Sequence, residues 1–178
     1  MKHVTKFFFL FLLSLYIFTT STAHAQTGTV RVNGGGVQFF FTAYNQYSSG
    51  VTLTNRNIVK INYTFATPPL NWQLRVKSDY PSIMSANGST PDIANLTYLK
   101  VNVEGTPTIT PAGNTTVIIN GAFYVDHLTP QVLVSGTGNG NFEVNMSISY
   151  SFGFPPPSLI NIPWGLYYTN LTFILEYF

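Results

Sequence analysis

The sequence predicts an all-β fold, a single immunoglobulin-like antiparallel β-sandwich. Several segments alternate apolar and polar side chains with a period of two, which is typical of strands that bury one face. Clusters of Pro, Gly, Asn and Ser separate these segments, and no segment has the cap and apolar stripe of an amphipathic helix. About eight to ten short strands with such turn signals, in a chain of 178 residues, indicate one sandwich domain.

The N-terminal residues have the features of a secretory signal peptide. Two lysines precede an apolar run at positions 7–18, and Ala23-His24-Ala25 provides a small-x-small cleavage pattern. The run is shorter than the about 20 residues that a membrane-spanning helix needs, so an uncleaved anchor is the weaker interpretation. We therefore predict a signal peptide at residues 1–25 and a β-sandwich domain at residues 26–178, and we expect the protein to be exported.

The charge of the exported chain limits its partners. The signal peptide contains two of the eight basic residues, so six remain beside six acidic residues, and the mature chain is formally neutral. A chain with so few cations cannot neutralise a run of phosphates, and we expect no nucleic-acid partner. The sequence also contains no cysteine, so the domain must be stabilised by packing and sheet hydrogen bonds rather than by disulfides.

The first predicted strand is Thr27–Asn33, with Val30 and Val32 on one face. Three glycines at positions 34–36 follow it and form a flexible joint. Residues 37–44 contain three consecutive phenylalanines, which predicts a strand that is covered on both faces.

The middle of the domain alternates between strands and loops. We predict a turn at 47–50, two short strands at 51–53 and 58–65, a strand at 72–77, a long surface loop at 79–95 and a strand at 99–104. Trp72 is expected to fill the core, as a tryptophan does in immunoglobulin-like sandwiches. An exposed sugar-binding platform is the alternative role of this side chain.

The third part of the domain contains the clearest hairpin signal. A strand is predicted at 115–125, and two further strands, at 131–135 and 141–151, flank a glycine-rich segment at 136–140 that we interpret as a hairpin loop. In the second arm, five apolar side chains are expected to face the core: Phe142, Val144, Met146, Ile148 and Tyr150.

The chain ends in a predicted strand that begins after Gly165. Three consecutive prolines at 155–157 form a stiff crossing before it. Odd-numbered positions in this stretch are mostly apolar, and we predict that five of them share one buried face: Tyr167, Leu171, Phe173, Leu175 and Tyr177. Gly165 is expected where the chain turns into the strand.

The same stretch resembles a known kind of ending. A glycine fourteen residues from the terminus, apolar alternation and the penultimate Tyr177 resemble the C-terminal strand of bacterial chaperone–usher pilus subunits. Gly165-Leu166-Tyr167 followed by Tyr177 is also similar to the Gly-x-Tyr … Tyr ending of spore-coat protein U-like secreted pilins. The resemblance implies a surface or fimbrial structural subunit that passes through the periplasm to the cell surface and assembles by β-strand addition.

The resemblance also implies partners and the residues that bind them. The partners are copies of the protein itself or related subunits, with a periplasmic chaperone and an usher during assembly. The partner-binding residues lie in the C-terminal strand: Gly165, Tyr167, Leu171, Phe173, Leu175 and Tyr177. Val30 and Val32 belong to a candidate donor strand.

The mature chain offers little catalytic chemistry. His127 is its only histidine and follows Asp126, and we interpret the pair as turn residues. One histidine without cysteine does not provide an ordinary zinc site, and the acids lack the spacing of a calcium loop. We therefore expect no cofactor, no metal and no enzymatic activity; two distant carboxylates brought together for glycoside hydrolysis are the enzymatic alternative.

Aromatic residues in and beside the predicted loops support a second function. Tyrosine provides contact area at a low cost in conformational entropy. The residues concerned are Tyr44, Tyr47, Tyr80, Trp164, Tyr167 and Tyr168. The alternative to a structural subunit is therefore a monomeric carbohydrate-binding module with a glycan partner.

Overall fold

A computed structural model provides the structure of this chain. It describes residues 27–64, 70–86, 88, 90–93, 95–153, 159, 161–163 and 165–178, and only the backbone of Tyr44 and Leu70. The predicted signal peptide, its cleavage site, the three prolines at 155–157 and Trp164 lie outside the described residues.

Strands dominate the described residues. In chain order the elements are β1 (Thr27–Asn33), α1 (Tyr44–Ser49), β2 (Val51–Thr64), β3 (Leu70–Ser78), β4 (Met84–Ser85), a 3-10 helix (Leu96–Tyr98), β5 (Leu99–Thr110), β6 (Thr115–Ile119), β7 (Phe123–Tyr124), β8 (Gln131–Gly138), β9 (Asn141–Phe152), β10 (Tyr167–Tyr168) and β11 (Leu171–Tyr177). Within the same residues, no helix is both long and apolar enough to span a membrane.

The strands form two main antiparallel sheets that pack face to face. One sheet has the order β1-β2-β9-β5-β7 and the other the order β11-β3-β8-β6, while β4 and β10 form a small separate pair. The side chains between the two main sheets make one hydrophobic cluster. This arrangement confirms the predicted all-β antiparallel sandwich.

The core follows the alternation of the sequence. In β9 the side chains of the five predicted inward residues are all buried. Trp72 in β3 is also completely buried, and its indole Nε1 donates a hydrogen bond to Thr115 Oγ1 at 3.1 Å. The rings of Tyr63 and Phe142 pack beside it. Trp72 is therefore a core residue, and a role as an exposed sugar platform is excluded.

The predicted hairpin between β8 and β9 does not exist, because the two strands belong to different sheets. Two of its glycines permit close packing instead of forming a turn. A Cβ atom on Gly136 would lie 2.6 Å from the Trp72 ring, and one on Gly138 would lie 2.7 Å from Phe142 Cζ. The sequence signal of a hairpin was thus produced by glycines that make room for core aromatic rings while the chain crosses between sheets.

The strand predicted at residues 37–44 is also wrong. Residues 37–43 form an irregular segment across one end of the sandwich, and α1 begins at Tyr44, so the predicted turn at 47–50 is mostly helical. Gln46 Oε1 accepts hydrogen bonds from the backbone N–H groups of Thr42 and Ala43, which stabilises the start of α1. The consecutive phenylalanines lie in different surroundings: Phe39 packs on the core, whereas Phe40 is 69% exposed.

Other differences concern strand boundaries. The two strands predicted at 51–53 and 58–65 are one strand, β2, whose register with β9 shifts around Asn55, a residue with a φ of 52°. The strand predicted at 99–104 continues to residue 110, and the one predicted at 115–125 is divided into β6 and β7. The predicted surface loop at 79–95 contains β4. It also contains the buried residues Ile83 and Ile93, whose backbones form an isolated β-bridge.

Candidate functional site

One lateral side of the sandwich has two open edges. β1 ends the first sheet and β11 ends the second, and each pairs with a neighbouring strand on only one side among the described residues. The two edge strands lie close together, because a Cβ on Gly28 would be 3.1 Å from Leu175 Cδ2. The rings of Tyr63 and Tyr177 meet edge to face behind them, with centroids 6.2 Å apart. We call this region the β1–β11 side.

The structure places four of the predicted partner-binding residues in β11. Leu171, Phe173, Leu175 and Tyr177 are aligned with Ser78, Val76, Leu74 and Trp72 of β3, respectively, all of which are buried. The four side chains therefore share the face that is directed at the other sheet. The prediction that this face is buried is wrong in degree, because it is only half-buried and Tyr177 is 48% exposed.

The other two predicted residues lie outside β11. Tyr167 belongs to the short strand β10, which pairs with β4 rather than with β3, so the predicted C-terminal strand is interrupted after Tyr168. The Tyr167 hydroxyl donates a hydrogen bond to the Pro163 carbonyl at 2.8 Å. Gly165 lies in a bend, as predicted, but this bend leads into β10 and not into β11.

The hydrogen-bond pattern shows which backbone groups of β11 are directed outward. Phe178 and Asn71 exchange two backbone hydrogen bonds, at 3.0 and 3.2 Å, and Asp79 N–H donates to the Asn170 carbonyl at 2.9 Å. Because such pairs alternate along an antiparallel ladder, the even-numbered residues of β11 bond to β3. The N–H and C=O groups of the odd-numbered residues therefore point away from β3, toward the open edge of the sheet. These residues are Leu171, Phe173, Leu175 and Tyr177.

The candidate donor strand, β1, forms part of its own sheet. It pairs with β2 of the same chain, with Val30 opposite Ile61 and Val32 opposite Val59. Both valines thus share one face, as predicted. The structure directs this face at the core, although Val32 is 44% exposed at the margin of the sandwich. The outer edge of β1 adjoins no described strand of the chain.

Neither edge strand has the usual features that prevent strand addition. Proteins protect exposed edges with proline, bulges, lysines or very short strands. β1 and β11 each contain seven residues without proline, and neither has a register shift with its neighbour. β1 contains one charged residue, Arg31, and β11 contains one, Glu176. The Glu176 carboxylate is paired with Arg75 at 2.8 Å. At the opposite end of the first sheet, by contrast, β7 has only two residues.

Burial affects one ionisable group on this side. Burial and, to a smaller extent, the phenol of Tyr177 raise the pKa of Tyr63 well above its ordinary value. The Tyr63 ring also stacks on Phe142, with centroids 5.5 Å apart. This phenol is therefore neutral at physiological pH and extends the apolar lining between the sheets up to the β1–β11 side.

A second surface feature surrounds the only histidine of the described residues. His127 Nδ1 lies 3.2 Å from the Ser78 carbonyl oxygen, and Asp126 Oδ1 accepts a hydrogen bond from Leu128 N–H. His127 and Asp126 both line a cleft of about 650 Å³, and Phe123 and Tyr124 line the same cleft. The carboxylate thus stabilises a turn and does not orient the imidazole. Within the described part of the chain, no cluster of three or more His, Cys, Asp or Glu side chains could hold a metal ion.

Sequence reasoning did not find this cleft. Its residues come from the loop before β5 and from the segment between β6 and β8, which are brought together only by the fold. The one local signal was the proximity of two aromatic residues to Asp126 and His127 in the sequence.

Four of the six aromatic residues proposed for glycan binding have side chains that the structure describes, and these four are not brought together into one surface. Tyr80 and Tyr168 form a perpendicular pair with centroids 6.1 Å apart, and Tyr168 is 47% exposed. Tyr47 instead packs against Phe41 at the end of the sandwich that residues 37–43 cover. The side chains of Tyr44 and Trp164 lie outside the described residues.

Sequence comparison with protein-family models and with curated proteins identifies no relative of this chain. No protein-family model matches the sequence, and no curated protein matches it. The pilin-like ending therefore remains a resemblance of the C-terminal residues, and the open β1–β11 side is the structural feature from which a function can be inferred.

Proposed function

We propose that this protein is a non-enzymatic, exported structural subunit of a surface or fimbrial assembly, which associates with copies of itself or related subunits by β-strand addition. The observation that carries the proposal is the β1–β11 side. There, two unprotected seven-residue strands lie together at the margin of a half-covered apolar core. The pilin-like ending and the signal-like N-terminus agree with this function.

Strand addition uses the groups that β11 leaves free. An added strand accepts and donates backbone hydrogen bonds at the odd-numbered residues of β11, which gives affinity independent of side chains. Its alternate side chains enter the margin between the sheets beside Phe173 and Leu175, which are half-buried. Covering these apolar groups stabilises the association by about 25 cal/mol for each Å² of apolar surface that is removed from water.

The in-chain position of β1 limits how it could be donated. β1 already pairs along its full length with β2, so a donor role for Val30 and Val32 requires β1 to leave its own sheet. The simpler form of the proposal keeps β1 in place and adds a strand from another molecule at the open side.

A pair of substitutions at Leu175 tests the proposal. Both Leu175→Pro and Leu175→Ala remove the leucine side chain, but only proline also removes the outward N–H group, and it leaves the bonds to β3 intact. We expect multi-angle light scattering to show assembly of the wild type and of Leu175→Ala, and loss of assembly for Leu175→Pro, with similar thermal unfolding of the two variants. Monomeric wild-type protein at all concentrations contradicts the proposal.

The cleft beside Tyr124 supports glycan binding as a second candidate function. Its wall combines the ring of Tyr124, which is 37% exposed, with the polar side chains of Asn95 and Gln131, the combination that sugars require for stacking and hydrogen bonding. Calorimetric titration with a panel of neutral oligosaccharides tests this function. Binding that is lost in Tyr124→Ala but kept in Tyr168→Ala would assign the ligand to the cleft, whereas absence of binding eliminates the candidate.

A further inference from the structure

The sequence of the edge strand β11 is complementary to itself: when two copies of the strand run antiparallel, apolar side chains lie opposite apolar side chains. Seven residues, Leu171–Tyr177, are centred on Ile174. When two such strands run antiparallel about that centre, Ile174 lies opposite Ile174 of the other copy, and Phe173 lies opposite Leu175. The outermost pair is Leu171 opposite Tyr177. Apolar residues therefore meet apolar residues over the whole face that the sandwich leaves half-buried.

The backbone has the correct phase for this pairing. The outward N–H and C=O groups belong to odd-numbered residues, and pairing about Ile174 places odd-numbered residues opposite odd-numbered residues. Phe173 and Leu175 of the other copy, for example, exchange two hydrogen bonds, as required of a hydrogen-bonded antiparallel pair. Pairing about a point between two residues would place outward groups opposite groups that already bond to β3.

The charges beside the edge are compatible with the same pairing. Glu176 lies opposite Thr172 of the other copy, and not opposite a second carboxylate. Its own charge is balanced by Arg75, and Thr172, which donates a hydrogen bond to Asp79, is aligned with Lys77 on β3. No ion pair among the described residues includes Lys77. Glu176 is therefore already paired with a cation of its own chain, and no like charges oppose each other directly.

We infer that the β11 edge is the site at which two copies of this chain associate, through antiparallel β11–β11 pairing about a two-fold axis at Ile174. The inference rests on the proposed function and specifies its partner strand. The pairing joins two four-stranded sheets into one continuous eight-stranded sheet, because the order of each is β11-β3-β8-β6. It also places the two β1 strands on the same face of this joined sheet, one on each side of the dimer axis.

The interface is modest, so the dimer should depend on concentration. One pair of seven-residue strands covers less than the roughly 1,600 Å² of a standard stable interface. We expect light scattering to show a shift from monomer to dimer as the protein concentration rises.

A single cysteine tests the axis, because the chain contains no cysteine of its own. In the inferred pairing, Ile174 and its counterpart form a non-hydrogen-bonded pair with a Cα–Cα distance of about 4.5 Å, within the about 4.4–6.8 Å that a disulfide spans. We expect Ile174→Cys to give a covalent dimer on mild oxidation. Ile118→Cys is the matched control, because Ile118 is 60% exposed on β6, the edge strand at the far end of the same sheet, and we expect little covalent dimer from it.

Opposite charges at the same position provide a test that does not depend on oxidation. Ile174→Lys and Ile174→Glu each place two like charges directly opposite each other, which destabilises a strand pair. We expect each variant alone to be monomeric at concentrations where the wild type is dimeric, and an equimolar mixture to form heterodimers. Unchanged thermal unfolding of the monomers shows that the substitutions act on association and not on folding.

The outcomes separate this inference from the proposed function. Covalent dimer from Ile174→Cys and recovery of dimers in the mixture support β11–β11 pairing. A wild type that associates while neither result is obtained overturns this pairing and leaves strand addition by another segment, such as β1 of a second copy. A wild type that remains monomeric overturns both.

Discussion

Gly136 is a residue at which the sandwich leaves no room for a side chain. Its Cα faces the Trp72 ring and the backbone oxygen of Thr116, and a Cβ would be 2.6 Å from the ring. We expect Gly136→Ala to destabilise the domain by about 1–3 kcal/mol, as overpacking of a close-packed core does. Chemical denaturation measures the change.

Gly35→Ala is the control for this prediction. A Cβ at Gly35 meets nothing within 4 Å, so the substitution should change the free energy of unfolding by less than about 0.5 kcal/mol, as at other surface positions. Equal changes in the free energy of unfolding for the two substitutions would show that β8 is not closely packed against Trp72 at Gly136.

Glu143 on β9 makes the stability of the first sheet depend on pH. Its carboxylate accepts a hydrogen bond from Lys60 on β2, at 2.6 Å, and another from Asn145, and these bonds lower the pKa of Glu143 below its ordinary 4.5. A carboxyl whose pKa is depressed by folding contributes stability above its unfolded pKa and loses it as the pH falls through the folded pKa. We expect the Tm difference between wild type and Glu143→Gln to shrink as the pH is lowered from about 6 to below 4. A difference that is constant over this range contradicts the prediction.

At the scale of the element, deletion of β1 tests whether this strand is integral. Val30 covers the outer margin of Ile61, and Gly28 lies against Tyr63, so removal of Thr27–Asn33 should expose part of the core and lower the Tm. A synthetic peptide with the sequence of β1 should restore the Tm when added, because the vacated edge of β2 offers the same backbone hydrogen bonds.

A scrambled peptide of the same composition is the control, because it lacks the alternation that places the two valines on one face. A truncated protein that is as stable as the full domain and monomeric without any peptide would show that β1 is dispensable to the fold, as a donated strand must be.

At the scale of the whole molecule, the sequence predicts where the chain begins after export. N-terminal sequencing of the secreted protein should give Gln26 as the first residue, because cleavage after Ala25 fits the small-x-small pattern. That position leaves only Gln26 ahead of β1, so β1 would be the first structured element. Secreted protein that still begins at Met1 contradicts this prediction.

The amino-acid sequence was sufficient for the features that depend on local pattern. Alternation with a period of two located β1, β3 and β9. It assigned Trp72 and Leu175 to the core-facing sides of their strands and put Val30 and Val32 on one face, since the two faces of a strand are fixed by the backbone itself. The same alternation identified the face of β11 that carries Phe173 and its odd-numbered neighbours, although it could not tell how far the fold covers that face.

The sheet in which each strand lies was decided only by the tertiary structure. Residues 136–140 have the composition of a hairpin loop, yet β8 and β9 lie in different sheets, and Gly136 and Gly138 make room for the rings of Trp72 and Phe142. Pairing between strands distant in sequence also determines which strands end a sheet. The open edge of β11, and with it the phase of its outward backbone groups, is therefore a consequence of non-local contacts, while the self-matching order of its side chains about Ile174 was already present in the sequence.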